Sequence, residues 1–216
     1  MKRLLVVALM LLVGVVALPT SASAQFDLSK IGGMLRGSSS NSSTTTTKTS
    51  PYKVLAENAP AKSEILGVWS YSDIDFEYLG TNSFAVAALA QVKSVVRQEL
   101  RMQGVTPGCF TITLLKSGKG SFSYGDYVFE GSYTYDSSKA RFELTATADN
   151  GKAIKCGGFL KKVDGKLVVM LDAQDALDTI TTVIPEISAG DAQTFDSING
   201  IVQSFPGIYI SMYYTK

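Results

Sequence analysis

Residues that carry most catalytic chemistry are scarce in this chain. It contains no histidine and two cysteines, Cys109 and Cys156. Ser-His-Asp and Cys-His sites need an imidazole base, and two cysteines alone cannot complete a structural zinc site. The sequence has no glycine-rich phosphate-binding loop, because Gly118 and Gly120 fall in a predicted hairpin turn. The sequence therefore predicts a protein that is not an enzyme and that needs no metal and no cofactor.

Carboxylates remain as candidates for metal binding or acid–base chemistry. One set alternates with apolar residues along one side of an extended segment: Asp73, Asp75 and Glu77. No calcium-loop spacing follows this set, so a solvated strand edge is favoured over a Ca²⁺ site. A second set surrounds a predicted helix start, where negative charge complements the helix dipole: Asp172, Asp175 and Asp178. Neither set predicts the paired carboxylates, about 5–9 Å apart, of a glycosidase.

Aromatic side chains are the strongest candidates for a binding site. Most alternate with polar residues, so they should share one face of their strands. The candidates for ligand contact are Tyr124, Phe129, Tyr133, Phe142, Phe195 and Tyr214. Buried tyrosine hydroxyls need hydrogen-bond partners, which a ligand or water could supply. Bulky rings can instead fill the interior, and an eight-stranded barrel has room for either a solid core or one small ligand.

A series of short alternating segments predicts the strands that carry these rings. The first runs from Leu66 to Tyr71, and six more follow as a meander divided by turns such as 149–152. Tyr127 to Tyr135 alternates most clearly, and Gly157-Gly158 indicates a bulge or a close approach. A last strand runs from Ile208 to Tyr214. Hairpin spacing with one apolar face predicts a mainly β, eight-stranded up-and-down antiparallel barrel.

Three predicted helices interrupt the strands. The first spans about Ser83 to Gln103, with Ser83 as N-cap. Its apolar stripe consists of Phe84, Leu89, Val92, Val95, Val96 and Leu100. Its other face, interpreted as solvated and less readily as a site for an anionic ligand or partner, carries Lys93, Arg97 and Arg101. A helical pair, Ala173–Ile184 and Asp191–Phe205, precedes the last strand, and its second member is either a lid or a packed cap.

The first 61 residues are predicted to lie outside the barrel. Residues 1–24 have the features of a secretory signal peptide, with Lys2 and Arg3, an apolar stretch and the cleavage motif Ala22-Ser23-Ala24. Residues 25–61 form a Ser/Thr-rich tether that is expected to be disordered. One domain remains, residues 62–216, and the protein is expected to be secreted, or periplasmic or in the cell envelope.

The charge balance argues against nucleic acid as a partner. The full chain has a net charge of +1, and loss of Lys2 and Arg3 with the signal leaves −1, since eighteen basic residues then face nineteen acidic ones. Nucleic-acid binding needs a basic stripe, and membrane-surface binding needs a polybasic patch. Neither is present in the sequence, and no transmembrane segment is expected after signal cleavage. The expected partner is a small hydrophobic molecule.

The two cysteines are predicted to form a disulfide. An isolated pair in an oxidising compartment usually does so. The alternation of the sequence speaks against it, because Cys109 points with Thr111 whereas Cys156 points with Ile154. Two free thiols are the alternative. A redox pair is disfavoured because there is no Cys-x-x-Cys motif.

Several segments, taken in order, resemble a family of secreted lipocalin-like bacterial proteins of unknown function. They are Ile65–Trp69 with its Gly67-x-Trp69 motif, an Ala/Val-rich helix, Gly104–Gly108 leading into Phe110–Leu114, Phe129–Tyr135, Val168–Ala173 and Pro206–Tyr209. The resemblance covers about Glu64 to Lys216 and implies a calycin-type barrel with Trp69 as the plug of one end. It implies structural roles for Gly67 and Trp69 and carries no catalytic or ligand residues. The cysteine pair is not part of the family pattern.

Two functional hypotheses follow. The first is a non-catalytic protein that binds a small apolar or amphipathic molecule inside the barrel. The alternative is a structural or protein-interaction module of the cell envelope whose barrel core is solid. A cavity of a few hundred Å³ inside the barrel would separate the two.

Overall fold

A computed structural model describes residues 51–102, 105–124, 127–147, 153–183 and 199–216. Its helices are α1 (Pro51–Glu57), α2 (Ser83–Met102) and α3 (Ala173–Val183), and residues 199–204 are also helical. Its strands are β1 (Gly67–Tyr78), β2 (Phe110–Leu114), β3 (Lys119–Tyr124), β4 (Tyr127–Asp136), β5 (Arg141–Thr147), β6 (Ala153–Val163), β7 (Lys166–Asp172) and β8 (Ile208–Thr215). Among these residues, no helix is long and apolar enough to cross a membrane.

The eight strands form a closed antiparallel barrel. Each strand pairs with its neighbours in sequence, and β8 closes the ring by pairing with β1. The predicted up-and-down barrel is therefore confirmed, together with a helix after the first strand. β1 is longer than the predicted strand, because it continues to Tyr78 and carries a bulge between Tyr71 and Asp73.

The interior of the barrel is the main hydrophobic core. Side chains at every second position of the strands point inward, as period-2 alternation requires. The buried strand residues of this core are Trp69, Tyr71, Ile74, Phe110, Ile112, Leu114, Phe122, Tyr133, Phe142, Leu160, Leu167, Val169, Leu171, Ile208, Ile210, Met212 and Tyr214. Each of the eight strands therefore contributes to this core.

A second core lies outside the barrel, on β6, β7 and β8. Phe159, Val168, Met170 and Tyr209 point outward, yet all are buried because α1 packs over them through Leu55. The last residues of the predicted tether, 51–61, thus belong to the domain, and the predicted boundary at residue 62 is corrected. The tether prediction failed here because a helix as short as α1 has few apolar positions. Their spacing is a weak signal of structure next to a long Ser/Thr-rich segment. Residues 25–50 lie outside the described residues.

The two ends of the barrel differ. At the end that we call the closed end, β1 begins at Gly67 and β8 finishes at Thr215. At the opposite end, the helix end, β1 leads toward α2, β7 leads into α3, and the helical residues 199–204 precede β8. The apolar helix residues that join the interior core there are Ala85, Leu89, Ala173, Ala176, Leu177, Ile201 and Val202.

The helix starts show which side chains cap them. Asn82, not Ser83, caps α2: its Oδ1 accepts a hydrogen bond from the Phe84 amide at 2.9 Å. Phe84, predicted in the apolar stripe, is exposed, and Ala85 takes the buried position. Asp172 Oδ1 accepts hydrogen bonds from the first-turn amides of α3, at 3.0 Å from Gln174 and 3.2 Å from Asp175. The predicted match of negative charge to this helix start is therefore realised by Asp172 as a cap.

Gly158 marks a close approach between strands. A Cβ atom there would lie 1.8 Å from the Met170 carbonyl oxygen, so only glycine fits. The pairing of β6 with β5 and β7 runs through Gly158 without a shift in register. The predicted close approach is thus confirmed, and the alternative of a bulge is not.

The predicted disulfide is corrected by the topology. Cys109 directly precedes β2, Cys156 lies within β6, and these strands are four places apart in either direction around the ring. A ring of eight strands spaced about 4.8 Å apart is about 12 Å across, whereas a disulfide needs Cα atoms within about 7 Å. Cys109 is a free, half-buried thiol whose pKa is raised, chiefly by burial. The side chain of Cys156 lies outside the described residues.

Candidate ligand site in the barrel

The closed end is sealed by aromatic side chains that bond to backbone carbonyls. The indole Nε1 of Trp69 donates to the Ile65 oxygen at 2.8 Å, and the Tyr133 hydroxyl donates to the Leu115 oxygen at 2.8 Å. The Tyr135 hydroxyl donates to the Pro60 oxygen at 2.7 Å. Each bond ties a connecting segment to a ring of the barrel, and Trp69 itself is only 2% exposed. Trp69 thus occupies the plug position that the family resemblance implies.

A cluster of rings fills the interior above this seal. Tyr71 and Phe110 stack with ring centroids 4.3 Å apart, and Phe122 lies 5.1 Å from Phe110. Tyr214 meets both Tyr71 and Phe110 edge-on, at 6.3 Å and 6.0 Å. Such tilted and offset contacts are the favourable geometries of aromatic pairs. This part of the barrel is therefore packed with side chains.

Three of the predicted ligand residues belong to this packed region. Tyr133 and Phe142 stack at 5.9 Å, and both are buried. Tyr214 is also buried, and its hydroxyl lies 3.6 Å from the sulfur of Met212. Since the hydroxyls of Tyr133 and Tyr214 already contact protein atoms, neither needs a ligand as its partner. Burial raises the pKa of both phenols, so both stay neutral.

The other predicted ligand residues cannot be placed as fully. Tyr124 pairs with Phe110 at the helix end of β3, and Phe129 pairs with Phe122 within β4. Their side chains lie outside the described residues, and Phe195 lies outside them altogether. The predicted stripe that contains Phe195 also contains Ile201, Val202 and Phe205, and these three are buried in the core.

The inner wall is less completely covered toward the helix end. Leu144 and Ala146 of β5 point inward and pack against the core, yet both remain partly exposed, whereas Phe142 on the same strand is 3% exposed. Phe76 of β1 also packs against the core and remains partly exposed. β5 and β1 lie four strands apart, so these side chains line opposite walls. This level of the barrel is the candidate ligand site.

One wall of the candidate site is a helix instead of a strand. β1 pairs with β2 only from Gly67 to Ser70, although β1 continues to Tyr78 and pairs with β8 from Ser70 to Tyr78. α2 packs on β1 where the β2 ladder has ended. Ala85 and Leu89 of this helix enter the interior core. The opening between β1 and β2 is thus filled by side chains and lacks a strand ladder.

Two ion pairs fasten α2 to the outer face of β1. Lys93 Nζ lies 2.5 Å from Asp75 Oδ2, and Arg97 pairs with Asp73. The Arg97 Nε also donates to the Ile74 carbonyl oxygen at 2.9 Å. The interpretation of Lys93 and Arg97 as a solvated face is therefore corrected, whereas Arg101, one turn further, is exposed.

A spacing signal for this contact was present in the sequence. Residues four apart on a helix are separated by about 6 Å, and residues two apart on a strand by about 6.6 Å. Lys93 and Arg97 therefore match Asp75 and Asp73 when the helix returns along the strand. The match was not recognised because it holds only once α2 is known to lie on β1.

The third carboxylate of β1 reaches across the outer face of the barrel. Glu77 Oε2 pairs with Lys161 Nζ of β6 at 2.5 Å, and Ser211 of β8 is completely buried nearby on the same outer face. Burial, followed by the negative charges of these three carboxylates, raises the pKa of Tyr213 to about 12. Each carboxylate thus has a cationic partner. Within the described part of the chain, no group of acidic or cysteine side chains is arranged to hold a metal ion.

Comparison with known proteins places this barrel in a family. A family described as a lipocalin-like domain (DUF4923) matches residues 38–216. The chain belongs to this family. The match starts upstream of α1, which agrees with the packing of α1 on the barrel. Neither the comparison with curated proteins nor that with solved structures gave a match.

Proposed function

We propose that this lipocalin-like domain protein is a secreted, non-catalytic binder of one small apolar or amphipathic molecule. The ligand would occupy the helix end of the barrel, between β5 and the α2 wall. The partial exposure of the inward-facing Leu144 and Ala146 carries the proposal, because these apolar side chains of the inner wall remain partly accessible. An apolar pocket with few polar groups suits such a ligand. The signal-like N-terminus supports secretion.

Filling the site tests the proposal. Leu144→Trp should block the proposed site and weaken binding of the fluorescent probe 1-anilinonaphthalene-8-sulfonate by about tenfold or more, since one large side chain excludes a ligand of similar size. Thr145→Trp is the matched control, because Thr145 is the exposed outward neighbour. Unchanged probe binding in a folded Leu144→Trp protein would contradict the proposal. Native mass spectrometry of the protein from its own host tests for a bound natural ligand.

A second candidate function is supported by the other half of the barrel. The stacked rings of Tyr71, Phe110, Phe122 and Tyr214 make a solid core, as expected of a structural or protein-interaction module of the cell envelope. Such a protein would bind no probe inside the barrel and would be cross-linked to a protein partner in its host. N-terminal sequencing of the mature protein tests the shared premise of secretion, with Gln25 as the expected first residue.

A further inference from the structure

We infer that α2 is a movable wall that opens a side passage between β1 and β2, and that its ion pairs to β1 hold the passage shut. The inference rests on the proposed function, since it concerns how a ligand would reach that site. In this inference, the position of α2 controls whether a ligand can enter the barrel. We call its two ion pairs to β1, Lys93–Asp75 and Arg97–Asp73, the clasp.

The first ground is the way the barrel closes at this point. The ladder between β1 and β2 extends from Gly67 to Ser70, and the next eight residues of β1 are bonded to β8 alone among the strands. The amide of Gly108 donates to the Tyr71 oxygen at 2.7 Å, just above the end of the ladder. Movement of α2 would therefore leave every strand pair of the barrel intact.

The second ground is the kind of contact that α2 makes. Among the side chains of α2 that the structure describes, those of Lys93 and Arg97 bond to β1, and those of Ala85 and Leu89 are buried in the interior core. The four charged side chains of the clasp are between 21 and 45% exposed. Ion pairs at such exposure are weak and screened by salt. Because the freed charges can be solvated, α2 can separate from the barrel without burying an unpaired charge.

The third ground is the position of the candidate site. The partly exposed Leu144 and Ala146 of β5 lie on the wall opposite β1, and Phe76 lies on β1 beside the opening. An opened α2 would thus connect solvent directly with this partly accessible apolar wall. The closed end offers no comparable route, because Trp69, Tyr133 and Tyr135 bond to its backbone carbonyls.

Hydrogen exchange tests the movement without any ligand. The double variant Asp73→Asn/Asp75→Asn keeps side-chain shape and removes both ion pairs. The amides of α2 should then exchange about tenfold faster, while those of β4 and β5 keep the wild-type rate, as expected of local opening. Glu143→Gln is the matched control, since it removes the Glu143–Lys155 pair on the outer face of β5. Unchanged exchange in α2, or an equal rise throughout the barrel, would overturn the inference.

Stopped-flow fluorescence with 1-anilinonaphthalene-8-sulfonate tests the passage itself. The double variant should accelerate probe association severalfold. Joining Asp75→Cys to Lys93→Cys with a short bis-maleimide, in a Cys109→Ser/Cys156→Ser background, should slow association. Probe binding at unaltered rates in both proteins would overturn the passage. A wild-type protein that binds no probe, although its α2 opens in the exchange experiment, would overturn the proposed function and leave the movement of α2 established.

Discussion

The closed end and the helix end of this barrel are covered by different kinds of contact. At the closed end, the side chains of Trp69, Tyr133 and Tyr135 donate hydrogen bonds to backbone carbonyls of the connecting segments. At the helix end, the cover consists of apolar helix faces and of ion pairs such as Lys93–Asp75. The closed end is thus held by buried donors on backbone carbonyls, whereas the helix end is held by apolar contacts, by partly exposed ion pairs and by the bond from Arg97 to the Ile74 carbonyl.

This difference indicates where the protein can move. Opening the closed end would leave buried carbonyls without donors, which is costly. Opening the helix end exposes apolar surface and separates ion pairs that water can solvate, which costs less. Ligand access and conformational change should therefore be confined to the helix end. Four sets of substitutions test this contrast.

Trp69→Ala should have the largest effect. It removes a buried ring and the bond to Ile65, so the free energy of unfolding should fall by about 3–5 kcal/mol. Urea denaturation measures this change. Trp69→Phe keeps a ring and loses the N–H donor, with an expected cost of about 1–3 kcal/mol. At the helix end, Leu89→Ala should cost about 2 kcal/mol and act mainly on α2. Equal effects of Trp69→Ala and Leu89→Ala would break the contrast.

Gly158→Ala tests the pairing of β6 with β7, two strands that run between the closed end and the helix end. Its Cβ would meet the Met170 backbone, which cannot move without parting β6 from β7, so the unfolding free energy should fall by about 3 kcal/mol. Both ends should lose hydrogen-exchange protection together. Gly157→Ala is the control, because its nearest contact is the Arg141 guanidinium at 2.8 Å, which can swing away. The prediction is wrong if the two alanine variants unfold at the same urea concentration.

Tyr135→Phe tests the closed end through the pH dependence of the protein's stability. Burial, followed by the charges of Glu64 and Asp136, raises the pKa of Tyr135 to about 12. The folded protein therefore holds this proton more tightly than the unfolded chain, so the stabilisation is complete below about pH 10 and is lost as pH rises from 10 to 12. Phenylalanine should make the fall in the urea midpoint between pH 9 and 11 shallower. A slope identical to wild type would show that the Tyr135 hydroxyl is not buried in the folded protein.

Asp73→Asn and Asp75→Asn should have the smallest effect on stability. Each removes one partly exposed ion pair, so the unfolding free energy should fall by less than about 1 kcal/mol per substitution. Thermal unfolding at low and high salt measures this change, which should shrink as salt rises. A loss comparable to that of Trp69→Ala would mean that the clasp is part of the rigid core and that the helix end does not open.

Much of the barrel could be predicted because its signals are local. Alternation in Tyr127–Tyr135 and the Asp164-Gly165 turn, whose residues have φ of 50° and 76°, depend on neighbouring residues alone. The candidate site could be predicted less well. Tyr133, Phe142 and Tyr214 were correctly placed inside, but alternation does not distinguish a ring packed on other rings from a ring that faces a ligand.

The sequence by itself determined which side chains face inward and where the turns lie, since backbone geometry couples both to near neighbours. The place of Gly67-x-Trp69 at the start of the barrel was implied by the family resemblance. The tertiary structure decided what covers each face. Only the closed ring separates Cys109 from Cys156, brings α1 onto the outer face of β7 and β8, and lays Lys93 and Arg97 over Asp75 and Asp73. These contacts join segments distant in the chain, and the packing that selects them has no period that a sequence can display.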